Sequence, residues 1–161
     1  MNLNEIFDTE NKVIWKDTVQ GCVGSFSIDD ELYLIDVEDY EIKLETGVKS
    51  IIDVGFRKGK SSELTGDQRP GRVIGSVVNA LKEKVKQLTP DIIMFGALNK
   101  NGEVEKRKVL YRKIASLLSK TTKYNHLSDW YKFKDGEYAF IASFNPTESD
   151  TKLVQSIITN K

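Results

Sequence analysis

The spacing of apolar residues changes along the chain, and each change predicts an element. Val77, Leu81, Val85 and Leu88 recur at helical intervals and form one stripe that stops ahead of Pro90. Asp91-Ile92-Ile93-Met94-Phe95-Gly96-Ala97 follows, a short apolar run typical of a strand covered on both faces. The polar turn Asn99-Lys100-Asn101-Gly102 closes it. A second helix then carries Leu110, Ile114, Leu117 and Leu118 toward the same sheet. A helix–strand–helix unit with a buried middle strand predicts an α/β layered domain, with its remaining strands supplied by the flanking chain.

Before that unit the pattern alternates. Cys22 to Ile28 reads as a strand, Asp29-Asp30 as a tight turn, and Glu31 to Tyr40 as the returning strand. Tyr33, Ile35 and Val37 fall on one side of it, Asp36 and Glu38 on the other. Beyond a loop through Thr46-Gly47, Ser50 to Arg57 sets Ile52, Val54 and Phe56 against Ile51, Asp53 and Gly55. Leu3 to Phe7 suggests one helical turn, and Val13-Ile14-Trp15 an apolar piece tucked at the edge of the core. The polar stretch before the first helix runs for about a dozen residues, longer than most connections in compact domains, which marks it as a candidate functional loop.

After the second helix, Trp130 to Lys134 and Glu137 to Phe144 flank Asp135-Gly136, a hairpin signal. Pro146 ends the strand. Thr147-Glu148-Ser149-Asp150 offers caps for a last short helix that buries Leu153, Val154, Ile157 and Ile158. The expected fold is α/β with a mixed sheet, in the order β-β-β-α-β-α-β-β plus a short C-terminal helix, as a single domain over residues 1–161.

Composition narrows the function classes. The 161 residues are 39% hydrophobic, enough for a real core. No run approaches the ~20 apolar residues that span a bilayer, and the first residues lack the charged and apolar regions of a secretion leader. One cysteine excludes an internal disulfide, and one cysteine with one histidine cannot build a zinc site. A reducing, cytoplasmic setting is expected. The net charge of zero conceals an asymmetry: residues 1–47 carry 12 Asp/Glu against 3 Lys/Arg, leaving 12 acidic and 21 basic residues for the rest. Such a chain can present an acidic face to a basic partner and a basic face to an anion.

The element order resembles the GNAT-type N-acetyltransferase fold over roughly residues 20–144. Members open the first core helix with Arg/Gln-x-x-Gly-x-Gly/Ala, whose amides hold the coenzyme A pyrophosphate; this chain has Pro70-Gly71-Arg72-Val73-Ile74-Gly75-Ser76 there. Members often carry a LYEKLGF-like segment on the second helix, whose tyrosine can protonate the departing thiolate; here it reads Leu110-Tyr111-Arg112-Lys113-Ile114-Ala115-Ser116. The resemblance implies that Gly71, Arg72, Ile74, Gly75 and Ser76 would bind the cofactor and Tyr111 would act as the acid. Asp53, on the strand nearest the implied cleft, is a candidate general base. The departures matter: Pro70 donates no amide hydrogen bond, and Val73 places a branched side chain where the pyrophosphate should approach. Coenzyme A or acetyl-coenzyme A is therefore expected to bind weakly or not at all. The pattern is also similar to small uncharacterised bacteriophage proteins, with a Thr-Gly loop before the first helix and an Arg-x-x-Leu-Tyr helix, here Arg107 to Tyr111.

Three functions follow from these residues. One is a degenerate member of the fold, a binding, structural or interaction module with a phage or host protein as partner, in the bacterial host's cytoplasm or carried in a virion. Another is an acyl-coenzyme A-dependent N-acyltransferase, with the acidic edge of Asp36, Glu38 or Asp53 attracting an amine. The third is a nucleic-acid-associated protein using Arg57, Lys58, Lys60, Arg69 and Arg72. Each candidate also has a plainer role: Tyr111 as a core-edge residue with its hydroxyl in water, Asp53 as an ion-pair partner, Gly75 as a packing contact, His126 as an exposed loop residue and Cys22 as a buried thiol.

Overall fold

A computed structural model of the chain describes residues 12–44, 47–59, 70–98, 104–133 and 136–159. Its elements are β1 (Ile14–Asp17), β2 (Gly21–Ile28), β3 (Glu31–Leu44), β4 (Gly47–Lys58), α1 (Pro70–Leu88), β5 (Ile92–Leu98), α2 (Val104–Thr121), β6 (His126–Leu127), β7 (Tyr131–Phe133), β8 (Gly136–Ala142) and α3 (Glu148–Thr159). The strands form one mixed sheet in the order β1-β2-β3-β4-β5-β8-β6, with β7 also paired to β8. Its ladders are antiparallel except the β4–β5 pair, which is parallel. The fold is thus mixed α+β. Among the described residues no helix is long and apolar enough to cross a membrane.

Alternation along the strands sorts the core into two layers. Tyr33, Ile35, Val37, Ile52, Val54, Phe56, Ile93 and Phe95 lie on one face, packed with Val77, Leu81 and Val85 of α1 and Ile114, Ala115 and Leu118 of α2. Phe26, Tyr33 and Phe56 stack in series there, with ring centroids 5.4 and 5.7 Å apart. Ile51, Ile92, Met94, Phe140 and Ala142 belong to the other face, packed with Leu153, Val154 and Ile157 of α3. A strand buried on both faces has no polar alternation, which is why β5 reads as a continuous apolar run.

Local chemistry explains the junctions. Asp29 and Asp30 take φ of +51° and +67°, the left-handed pair that a two-residue hairpin turn demands and that aspartate tolerates. Thr89 leaves α1 at φ +45° with its amide on the Val85 carbonyl, and Pro90 prevents the helix from continuing. The start of the parallel pair is fixed by Asp91, whose carboxylate accepts from the Ser50 amide at 2.8 Å while its own amide donates to the Ser50 carbonyl at 2.8 Å.

Several expectations need correction. Leu117 does not face the sheet but is exposed; the buried side of α2 is Arg107, Tyr111, Ile114, Ala115 and Leu118, with Leu110 half-buried. The hairpin register pairs Phe133 with Gly136, so Gly136 opens β8 instead of completing the turn. β3 and β4 extend further toward each other than alternation predicts, because their backbone ladder runs on to Leu44 and Gly47. His126 is half-buried in the short strand β6. Val13-Ile14-Trp15 contributes to an edge strand in which Val13 and Trp15 pack on the core while Ile14 is exposed. The expected turns at Leu3–Phe7 and Asn99–Gly102, the loop over 60–69 and the side chain of Ile158 lie outside the described residues.

Candidate binding groove on the sheet

The parallel ladder is short. It joins Ile51–Val54 to Ile92–Phe95, whereas both strands continue beyond it, β4 to Lys58 and β5 to Leu98. Past Val54 and Phe95 the two strands are no longer paired, and a notch opens between them. α2 fills that notch. The Tyr111 hydroxyl accepts the Phe56 amide at 3.0 Å and lies 3.4 Å from the Phe56 carbonyl, to which Arg107 Nη1 donates at 3.3 Å. Tyr111 and Arg107 sit four residues apart on one helical face and are 2% and 6% exposed. Burial pushes the Tyr111 phenol up, and the Phe56 amide and Arg107 guanidinium offset part of that.

A groove of about 350 Å³ meets the notch. Asp36 and Glu38 of β3 and Asp53, Gly55 and Arg57 of β4 line it, with Gly96 of β5, Tyr138 of β8, Arg107 and Tyr111. Register explains the grouping: Glu38 lies directly opposite Asp53 and Asp36 opposite Gly55, so period-two alternation sends all three carboxylates to one face. Gly55 leaves the floor open, since a Cβ there would come no closer than 3.8 Å to Asp36. The Tyr138 ring lies over Gly96, where a Cβ would stand 2.6 Å from its Cε1. Arg57 answers Asp36 with two hydrogen bonds, 2.9 and 3.3 Å, and the Tyr40 hydroxyl donates to Glu38. Two like charges directly opposite across a ladder are unfavourable for the sheet itself.

The residues that the resemblance assigns to the cofactor lie in the first two turns of α1. Gly71 is exposed, with nothing within 4 Å of a Cβ placed there. Arg72 is half-buried and 4.0 Å from Asp29. Ile74 packs on the core, while Gly75 and Ser76 are buried, the Ser76 hydroxyl donating to the Arg72 carbonyl at 2.8 Å. Pro70 is the first helical residue, where its missing N–H costs nothing. Val73 is not turned toward an incoming pyrophosphate as expected; it is 3% exposed and part of the core.

Tyr111 and Asp53 do reach one groove. Tyr111, expected in its plainer role to hold its hydroxyl in water, instead buries it against β4. Arg107, quoted only within a helix pattern, proves part of the site, drawn there by the Phe56 carbonyl. Of the expected basic loop, Arg57 pairs with Asp36, Lys58 is 3.9 Å from Glu31 and Arg72 4.0 Å from Asp29, while Lys60 and Arg69 lie outside the described residues. Cys22 is buried as expected, and burial raises its thiol, partly offset by Lys84. Among the described residues no group of three or more His, Cys, Asp or Glu could hold a metal ion. No family model, curated protein or solved structure matches the chain.

Proposed function

We propose that this chain is a degenerate GNAT-like binding module whose groove receives a positively charged group, not a working acyl-coenzyme A transferase. Support for the scaffold comes from the β2–β3–β4 meander, the parallel β4–β5 pair flanking α1, and β8 lying between β5 and the β6/β7 edge. The observation that carries the binding reading is the filled notch. Tyr111, the residue that would protonate a thiolate, and Arg107 are both committed to the Phe56 backbone where β4 and β5 part. The carboxylates of Glu38 and Asp53 meanwhile line the open side, where an ammonium gains charge-assisted hydrogen bonds.

The second reading, an N-acyltransferase, is favoured by one fact: Tyr111 and Asp53 border the same groove. Titration calorimetry with hexylamine and with acetyl-coenzyme A separates the two. A module binds the amine, loses it in Asp53→Asn and ignores the thioester. Salt-insensitive binding of acetyl-coenzyme A, with transfer to the amine, establishes the enzyme. The nucleic-acid reading has least support, because the described cations of that loop already face Asp36, Glu31 and Asp29.

A further inference from the structure

The strand that closes the sheet beside β8 is interrupted. His126 pairs with Ala142 and Leu127 with Ile141, and Ser128 carries the ladder one step further. Its amide donates to the Phe140 carbonyl at 2.9 Å, but the Phe140 amide donates to the Ser128 hydroxyl, also at 2.9 Å. The Ser128 carbonyl accepts Arg112 Nη1 instead, at 3.4 Å. Pairing resumes where Tyr131 meets Tyr138. Asp129 and Trp130 thus stand against the single residue Ala139, which makes this a β-bulge. The extra residue reverses the alternation: Tyr131 shares the α3 face of the sheet with His126 and Ser128, while Trp130 packs on the other core layer.

A cavity of about 450 Å³ lies on that face, between the bulged strand, the Asn145-Pro146 exit of β8 and Thr151 in the first turn of α3. It shares no lining residue with the acidic groove. Tyr131 is a flat wall of it, its ring stacked on the buried Phe140 with centroids 6.2 Å apart and planes 11° apart. Asn125, His126, Asp129 and Asn145 line it too, and none of these four side chains is bonded to another described residue. Among the described lining residues there is no lysine or arginine to hold an anion, and Asp129 is the one carboxylate. Amides, an imidazole, hydroxyls and a single carboxylate suit a ligand with hydroxyl groups around its rim. The negative face of the Tyr131 ring suits a flat side of weakly positive C–H groups.

We propose that this cavity is a saccharide site that takes the pyranose ring of an uncharged sugar. One face of the sugar lies on Tyr131. Neighbouring hydroxyls donate to the Asp129 carboxylate in charge-assisted bonds, and others meet Asn145 and His126. A nucleotide also stacks on tyrosine, but its phosphate finds no cation here.

Nuclear magnetic resonance of the nitrogen-15-labelled protein tests this. The probes are the methyl glycosides of glucose, galactose, mannose and N-acetylglucosamine, with adenosine and glucose 6-phosphate for comparison. At least one glycoside should move the amides of His126, Asp129, Tyr131 and Asn145 saturably, and bind more tightly than adenosine or glucose 6-phosphate. Tyr131→Ala should weaken that glycoside about tenfold, while Tyr131→Phe keeps the ring and the affinity. Asp129→Asn should weaken it about fivefold, and Asp129 is exposed, so the fold does not depend on it. Should Tyr131→Ala fail to fold, Asp129→Asn and the probe series on the natural protein still decide. The saccharide proposal is overturned if no glycoside moves these amides, if adenosine binds as tightly as the best glycoside, or if Asp129→Asn binds it unchanged.

Discussion

Tyr111 holds the backbone of Phe56: its buried hydroxyl accepts that residue's amide at 3.0 Å, at the place where β5 has already left β4. In a continued parallel ladder this amide would be bonded to β5. Instead a helix side chain serves it, and Arg107 serves the carbonyl of the same residue. The notch is therefore closed from within the fold.

Tyr111→Phe should consequently destabilise the protein by about 1–3 kcal/mol, the usual cost of leaving a buried donor without its acceptor. Urea unfolding followed by circular dichroism measures it. A variant as stable as the natural protein would mean that the hydroxyl is not holding β4, and would return Tyr111 to the list of candidate acids.

Coenzyme A gives a second prediction. Restoring the transferase pattern by Val73→Gly looks like repair on paper, but Val73 belongs to the core and to the first turn of α1. The substitution removes buried apolar surface and adds a helical glycine, together costing roughly 2–4 kcal/mol. No gain in coenzyme A affinity should accompany it. Calorimetry beside thermal melting checks both halves, and tighter coenzyme A binding by the variant would reinstate the cofactor loop.

Much of this arrangement can be read from the residues in order. Ile52, Val54 and Phe56 alternate with Ile51, Asp53 and Gly55 because the two sheet faces meet different surroundings, and the parallel partner of β4 follows from the helix between them. The carboxylates of Asp36, Glu38 and Asp53 can likewise be assigned to one face by counting in twos. Leu117 could not be placed this way. Arg107 and Tyr111 take the buried side of α2 because Phe56 offers two backbone groups there, and nothing local to α2 records that. β6 has two residues and β1 four, too short for periodicity to register.

The end of α1 makes a third case. Thr89 occupies the left-handed region at φ +45°, where a β-branched side chain is strained, and it is exposed. Thr89→Gly should remove that strain and stabilise the protein by about 1 kcal/mol, as glycine does at the position after a helix. The check is a higher midpoint in urea at unchanged slope.

The start of α3 supplies the last. Thr147 and Asp150 cap each other: the Asp150 carboxylate accepts from the Thr147 amide at 2.8 Å and hydroxyl at 2.9 Å, while the Asp150 amide reaches back to that hydroxyl at 3.4 Å. Lys49, whose ammonium stands 3.7 Å from the centre of the Phe144 ring, reaches the other carboxylate oxygen at 3.3 Å. Burial alone would push this carboxyl up, but the Thr147 bonds and Lys49 outweigh it and leave it below the ordinary aspartate value of 3.8. A folded-state pKa held below the unfolded one contributes stability that is present above the unfolded value and is lost as pH falls through the folded value. Stability should therefore decline below pH 3.8, partly through this one group. Asp150→Asn keeps the shape and removes the charge; it should cost about 1–2 kcal/mol at neutral pH, as losing a helix cap does, and flatten that acid decline. Urea unfolding at pH 7 and across the acid range reads both. An Asp150→Asn protein with natural stability at pH 7 and an unchanged acid slope would show that α3 is held on the sheet by Leu153, Val154 and Ile157 alone.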